Sequence, residues 1–548
     1  MPFNCDPIFT NALACHRAGQ LQQAAKIYRQ ILNIDGDHAQ ASNNLGAIFM
    51  SLGSIGEAVS CFQNAVNANA DFFEAHLNLA KACKDLGRYN EAADSFGRAL
   101  ALKPNHIAAY LDLSFVCHQL GNIGGAIKCC EKALELDPSS IEAYNNLGNA
   151  LANQGDIQSA IETYNRALQI SPDDADIYYN LANALKGAGR IHSAIENYQR
   201  ALALKPDYVD AHWNLSHAFL LSGNFLDGWR EYEWRFQLPG QHNIYPHRYE
   251  AQRWDGAAFK GKRLLVHDEQ GLGDTLQFVR FLPFVKALGG TVIFESRKPL
   301  LKLLTGFPGI DELVQRSASV KRAVDFDMFI PLMSLPALFG TTLLTLPSQV
   351  PYLYANPKTG EAWRDRLERG GVKVGIVWSG NPGHANDQNR SCSLELFRPL
   401  ANICGVKLIG LQAGAAADQA ENTAYPMVLE NIGKEFADFA DTAGAIEALD
   451  LVISVDTAVA HLAGAMGKQV WLMLPCLPDW RWLMDREDTP WYPTMRLFRQ
   501  PKPGDCATVI DHIGDSLKQL VAKRHTELRG SIRPRQLNRS DSQFLMGN

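Results

Sequence analysis

Seven glycines stand 34 residues apart along the first 223 positions: Gly19, Gly53, Gly87, Gly121, Gly155, Gly189 and Gly223. That period is one helix–turn–helix unit, too small to bury its own apolar face, so successive units must stack. Five residues after each glycine comes a small residue, Ala24, Ala58, Ala92, Ala126, Ala160, Ala194 and then Gly228, where two helices can cross closely. Four residues further sits a larger one: Tyr28, Phe62, Phe96, Cys130, Tyr164, Tyr198 and Tyr232, expected to fill the space between consecutive hairpins. Pro104, Pro138, Pro172 and Pro206 stop the second helix at one point in successive units. The pattern predicts an all-α solenoid of about seven units over residues 5–236.

The pattern resembles the tetratricopeptide (TPR) repeat, whose stacks hold another polypeptide in a curved groove. Asn44, Asn78, Asn146, Asn180 and Asn214 occupy one register, with Asp112 in the missing slot. A row of carboxamides offers donors and acceptors to an extended backbone regardless of its sequence. It looks like the asparagine ladder of O-GlcNAc transferase and implies a protein partner in the groove. The plainer reading is that asparagine caps or solvates these helices. The seventh unit departs at Gly228 and Arg235 and runs into Trp229, Tyr232, Trp234 and Phe236, the composition of a cap that docks on the next domain.

At 548 residues the chain is too long for one core. A net charge of −6 supplies no general nucleic-acid surface. The N-terminus lacks the apolar core of a signal peptide, and no stretch approaches a membrane span. The eleven cysteines form no CxxC pair, so they are expected to be reduced packing residues rather than metal ligands. Together these features predict a cytoplasmic protein with no resident cofactor or metal.

From about residue 260 the periodicity changes. Short apolar runs at Leu264–His267, Thr291–Glu295, Met328–Pro331, Val372–Trp378, Val406–Leu411, Leu451–Val455 and Gln469–Leu474 alternate with helical stretches. Near-continuous apolar strands between helices indicate parallel sheets covered on both faces. A break near Pro351–Thr359 divides them into two Rossmann-like units, 237–356 and 357–524, with 505–522 as a closing helix and 525–548 as a disordered basic tail. Ligands of such folds lie at the carboxyl ends of the strands.

Polar groups collect at those strand ends. After Leu264–His267 comes Glu269-Gln-Gly-Leu-Gly-Asp-Thr275, which places Asp274 at a helix start, as an N-cap or as a carboxylate able to take a proton. After Leu451–Val455 comes Asp456-Thr457-Ala458, opening a helix that carries His461 one turn on. Free amides and the helix dipole there suit a diphosphate. Trp378-Ser379-Gly380-Asn381 ends a third strand and leads to Arg390, whose fork matches phosphate; Gln412 ends a fourth. Trp480, Trp482, Trp491 and Tyr492 either stack a ligand or pack the cleft wall.

The segment 260–500 resembles the ADP-heptose:lipopolysaccharide heptosyltransferases, inverting enzymes of the GT-B fold, through GLGDT at 271–275, WSGN at 378–381 and DTAVAHLAGAMGK at 456–468. The resemblance implies Asp274 as general base and Asp456, Thr457, Ala458 and His461 as the donor site. It also implies a basic residue assisting the leaving group, for which Arg390 is the candidate. Ser379, Gly380, Asn381 and Gln412 complete the donor side. Ala458 departs from the glycine the family often has there. The implied activity is metal-independent transfer of a sugar from a nucleotide sugar to a hydroxyl of a protein held by the repeats. Its alternatives are a scaffold with a degenerate transferase domain and a transferase acting on glycan or lipid.

Overall fold

A computed structural model describes residues 6–239, 249, 251–316, 324–367, 370–384, 386–421 and 429–531. The chain divides into two compact units, 1–214 and 215–548. Six helix pairs make the first unit: Asp6–Arg17 with Leu21–Ile34, Ala39–Ser51 with Ile55–Ala68, Phe73–Asp85 with Tyr89–Leu102, Ile107–Gln119 with Ile123–Leu136, Ile141–Gln154 with Ile157–Ile170, and Ala175–Gly187 with Ile191–Leu204. A seventh pair, Val209–Ser222 and Phe225–Tyr232, runs across the division. All seven periodic glycines have φ between +72° and +92°. They end the first helix of each pair in the left-handed region, where a Cβ is penalised.

The crossing residues Ala24, Ala58, Ala92, Ala126, Ala160 and Ala194 are buried, as are the larger residues of the next register. Those larger residues also fill space inside their own hairpin. A Cβ on Gly46 would come within 2.6 Å of Phe62 Cε1, so the phenyl ring packs directly against a helix that offers no side chain there. At the seventh pair, a Cβ on Gly228 would meet Leu220 Cδ2 at 2.7 Å; the departure from alanine lets these two helices close further.

Among the described residues, the second unit holds two fully parallel sheets. The first contains β1 (Gln252–Arg253), β2 (Arg263–His267), β3 (Thr291–Ser296), β4 (Glu312–Gln315) and β5 (Met328–Pro331), in the order β1-β5-β2-β3-β4. The second contains β6 (Val372–Val377), β7 (Val406–Gly410), β8 (Glu430–Asn431), β9 (Leu451–Val455), β10 (Val470–Leu474) and β11 (Met495–Arg499), in the order β11-β10-β9-β6-β7-β8. Strand order reverses between β2 and β5 in one lobe and between β6 and β9 in the other, which are the switch points where ligands of such sheets bind. Strands β9 and β10 are buried at every position, which is why their sequences run apolar without alternation. The four strands not expected from sequence are β1 and β8, two residues each, β4 and β11. The last two are sheet edges whose Glu, Gln and Arg residues dilute the apolar run.

The closing helix is longer than expected, Cys506–Ser531, so residues 525–531 continue it instead of beginning a disordered tail. The rest of that tail, with Arg533, Arg535 and Arg539, lies outside the described residues. Val509, Ile510, Ile513, Leu517 and Val521 pack this helix into the core of the second sheet, and Arg524 pairs with Asp450 at 2.9 Å.

The seventh pair is tied to the first lobe through Arg235. Its guanidinium, with no solvent exposure, grips Glu269 with two parallel bonds (Nε–Oε2 3.0 Å, Nη2–Oε1 2.9 Å). It also donates to the Tyr232 carbonyl, Glu233 and Ser334 Oγ. Trp229 packs edge-on to Phe278 and Trp480. Removing one partner strands a buried charge, so Arg235→Ala should cost about 3–5 kcal/mol of stability. Replacing both partners, Arg235→Met with Glu269→Leu, should recover most of that loss in chemical denaturation.

Candidate functional site

Beyond β2 the chain turns through Asp268, Glu269 and Gln270. Glu269 is locked by Arg235, and Gln270 sits in the left-handed region at φ +55°, an uncommon place for a non-glycine residue. The turn delivers helix Leu272–Phe278. Asp274 Oδ2 accepts the Gly271 N–H at 2.6 Å, so the carboxylate does fold back on its own helix start. Its other oxygen, Oδ1, is bound by Arg481, a residue of the second lobe.

The second corner follows β9. Thr457 takes the extended N-cap conformation (φ −142°, ψ 168°), but its side chain caps nothing; its hydroxyl meets Ser454 Oγ at 3.1 Å. The amides of the first turn of helix Ala458–Ala465 are therefore not spent on a side-chain cap. A serine or aspartate bonding back would have closed that position.

The two corners face each other at contact distance. A Cβ on Gly273 would lie 3.5 Å from Ala458 Cα and 2.9 Å from His461 Cδ2. The second glycine of the first motif is thus fixed by the helix start of the other lobe. Arg280, buried beyond the first helix, closes the seam: it donates to the carbonyls of Gln277, Pro347 and Trp491 and to Tyr352 OH.

Inside the seam the side chains form one network. His461 is buried, its Nδ1 2.9 Å from Tyr492 OH and its ring stacked on Trp482 at 5.3 Å. Burial, with Arg481 nearby, pulls its pKa down to about 3, so the imidazole is neutral at physiological pH. Trp482 Nε1 donates to Asp456 Oδ2 at 2.9 Å. Burial and the neighbouring Asp479 carboxylate lift the Asp456 pKa to about 6. Arg390 Nη1 reaches the Asp456 carbonyl at 3.0 Å and its Nε reaches Asp387 Oδ1 at 3.2 Å, which brings the middle loop to the β9 corner. Gly380 lies beneath that guanidinium, since a Cβ there would come 2.6 Å from Arg390 Nη2.

The remaining candidates on this side are positioned differently. The Gln412 amide is spent on the backbone: Oε1 accepts from Trp378 and Ser379 N–H, and Nε2 donates to the carbonyls of Ser379 and Ala413. It staples the WSGN turn and presents no free donor. Ser379 Oγ lies 3.4 Å from Ser391 Oγ, and Asn381 Oδ1 closes a local turn onto Gly383 N–H. Trp480, Trp482, Trp491 and Tyr492 are all buried and make the packed wall, not an open stacking platform. A cavity of about 490 Å³ lies elsewhere, between helix Phe225–Tyr232 and the first lobe, lined by Leu226, Trp229, Arg253 and Pro336 among others; none of the corner residues lines it.

In the first unit the five ladder asparagines, Asn146 included, are half-buried, and four of them bond to neighbouring repeats. Asn78 Nδ2 donates to Asn43 Oδ1 at 2.9 Å, Asn180 Nδ2 to Asn145 Oδ1 at 2.8 Å, and Asn214 Nδ2 to Tyr179 OH at 3.0 Å. Asn44 Nδ2 donates to Tyr28 OH at 3.2 Å, and Asp112 pairs with Lys84. The carboxamide nitrogens of these four asparagines thus tie one repeat to the next.

Sequence reasoning gave no site role to Arg481, Gln277, Arg280 or the Arg235–Glu269 pair. A signal existed for two of them. Arg235 breaks the repeat consensus, and Arg481 is an isolated cation between Trp480 and Trp482.

Tetratricopeptide-repeat family models match residues 39–72, 73–106 and, in overlapping stretches, 116–155, 148–189 and 187–223; this part of the chain is a TPR array. Among curated proteins, Protein FlbA of Caulobacter vibrioides is 28% identical over 329 residues, 55% of this chain and 54% of FlbA. The chain thus spans about half the length of that relative. Among solved structures, YrrB, a TPR protein with an unusual peptide-binding site, aligns with TM-score 0.31 at 21% identity, covering 34% of this chain and 96% of YrrB. A thermophilic TPR protein of Thermus thermophilus aligns with TM-score 0.28 at 24% identity, covering 33% of this chain and 99% of its own. Among the described residues no helix is long and apolar enough to cross a membrane.

The buried neutral His461 sets a pH response. Its unfolded form takes a proton near pH 6.5, whereas the folded form stays neutral down to about 3. The stabilisation is complete above pH 6.5 and is lost as pH falls through that window, by up to about 1.4 kcal/mol per pH unit. His461→Asn cannot titrate there, so its denaturation midpoint should fall less steeply than the wild type's between pH 6.5 and 4.

Proposed function

We propose that the chain is an inverting, metal-independent glycosyltransferase that moves a sugar from a nucleotide sugar to a hydroxyl of a protein acceptor held by the TPR array. The observation that carries the proposal is the apposition of the two strand-to-helix corners at Gly273 and Ala458, which brings Asp274 beside a helix start with uncapped amides. Both corners lie at switch points of parallel sheets, where such folds take ligands. The motifs at 271–275, 378–381 and 456–468, which resemble the heptosyltransferases, fall on these elements. The TPR array supports a polypeptide partner.

On this reading the donor diphosphate sits on the amides of Thr457 and Ala458, with the helix dipole behind it. The acceptor oxygen attacks the anomeric carbon from the first-lobe side, and Asp274 takes its proton. The bond between the anomeric carbon and the phosphate oxygen breaks, and the nucleoside diphosphate leaves with the electron pair. Arg390 and the helix start stabilise the charge on the leaving phosphate. A single displacement inverts the anomeric configuration. His461, neutral and held by Tyr492, packs behind the helix start.

Two measurements test this. A panel of nucleotide sugars should raise the melting temperature, because a ligand at 100 times its Kd adds about 2.7 kcal/mol to native stability. No shift with any donor favours the non-catalytic scaffold. Asp274→Asn should lower transfer to the co-purified acceptor about 10²–10⁴-fold while preserving the fold. Full activity in that variant removes Asp274 from the role of base.

A further inference from the structure

We propose that Arg481 is a latch opened by a nucleoside diphosphate: it holds Asp274 in the arrangement described above and exchanges that carboxylate for the phosphates of the donor. Such a latch rests on the transferase reading and is the means by which the two halves of that site communicate.

Arg481 belongs to the second lobe, on the short 3₁₀ turn Trp480–Trp482 between β10 and β11, yet its guanidinium binds the first lobe. Nη2 bonds Asp274 Oδ1, Nε bonds Gln277 Oε1 at 2.7 Å, and Nη1 bonds Asp479 Oδ1 at 2.7 Å. Its Cζ lies over the Trp480 ring, 4.1 Å from the ring centre. The nearly buried cation thus has a partner at each of its three nitrogens, and two carboxylates share one positive charge. The next residue, Trp482, bonds Asp456 at the phosphate-type corner and stacks on His461 of the same helix. One three-residue turn therefore touches the acid corner through Arg481 and the anion corner through Trp482.

Two further observations mark this turn as poised for exchange. Leu483 and Asp485, directly after it, both have positive φ, +53° and +51°, and neither is glycine, so the segment is held in a strained form by its contacts. Gln277, fully buried, bonds Arg481 through Oε1, but its Nε2 has no partner: a donor beside the guanidinium with no acceptor to meet. An oxygen-rich anion entering at the corner offers acceptors both to that amide and to the guanidinium. A planar fork suits phosphate as well as carboxylate, so the swap keeps the hydrogen-bond count of the arginine.

Because Asp274 and the diphosphate compete for one cation, the charge on Asp274 must weaken diphosphate binding, and the coupling is reciprocal. Calorimetric titration of UDP, GDP, ADP and dTDP into the full chain and four variants tests this. Asp274→Asn should tighten the diphosphate that binds by about 5–10-fold, and Arg481→Met should weaken it by about 10-fold or more. In the Arg481→Met/Asp274→Asn double variant the tightening should vanish. Circular dichroism and Arg481→Lys, which keeps the charge but loses the fork, guard against a folding defect; lysine should recover only part of the affinity. Unchanged or weaker binding in Asp274→Asn overturns the latch, and so does equal tightening in the Arg481→Met background, which would mean bulk electrostatics. If none of the four diphosphates binds the wild type, the transferase reading falls and takes the latch with it. Binding by the wild type with failure of the variant pattern removes the latch alone.

Discussion

The close approach of two backbones, at Gly273 and at Ala458, is the constraint on which the second unit depends. Each belongs to a helix that begins where a parallel sheet reverses its strand order; Gly273 has no side chain and Ala458 only a methyl, with the His461 ring of the same helix packed against Gly273. Bringing two helix starts together concentrates unpaired amides and positive dipole ends, which is electrostatically unfavourable in isolation. The seam answers with carboxylates: Asp274 on one side, Asp456 and Asp479 on the other, balanced by Arg390 and Arg481. Arg280 and the buried tryptophan wall pack against the same seam. The chemistry available there follows from this packing, because polar groups were placed where two helix ends had to be neutralised.

Much of this was legible beforehand. The 34-residue spacing fixed the repeat count and the left-handed glycines, because the turn of each hairpin needs a residue without Cβ. Apolar runs located the buried strands, and the residues beyond them located the corners. What could not be read was pairing across the lobes. Nothing in the spacing of Arg481 and Asp274, 207 positions apart, announces their contact. Gln412 illustrates the opposite failure: a polar residue at a strand end looks like a ligand group, but its amide serves the backbone of the neighbouring turn. The aromatic wall was ambiguous in sequence because packing and ligand stacking use the same residue types; burial decides for packing.

The asparagine register carries a related lesson. Its members share a helix face, as the periodicity required, but their amide nitrogens reach the neighbouring repeat at Asn78, Asn180 and Asn214. The oxygens are engaged in part as well: Asn214 Oδ1 accepts from Lys186 Nζ at 3.1 Å and Asn44 Oδ1 from Asn43 Nδ2 at 3.4 Å, so much of this row is spent on holding the repeats together.

The seventh helix pair belongs by sequence to the repeats and by contact to the sheets. Its Trp229 and the adjoining Arg235 fill positions in the first lobe that no other described residue occupies, next to the loop that presents Asp274. Dissection of this protein at the last repeat, between residues 236 and 237, would leave Glu269 facing solvent without its cation and uncover the tryptophan wall. The compact unit begins at Leu215, inside the first helix of that hairpin, so an excisable module keeps the whole hairpin from Val209 onward.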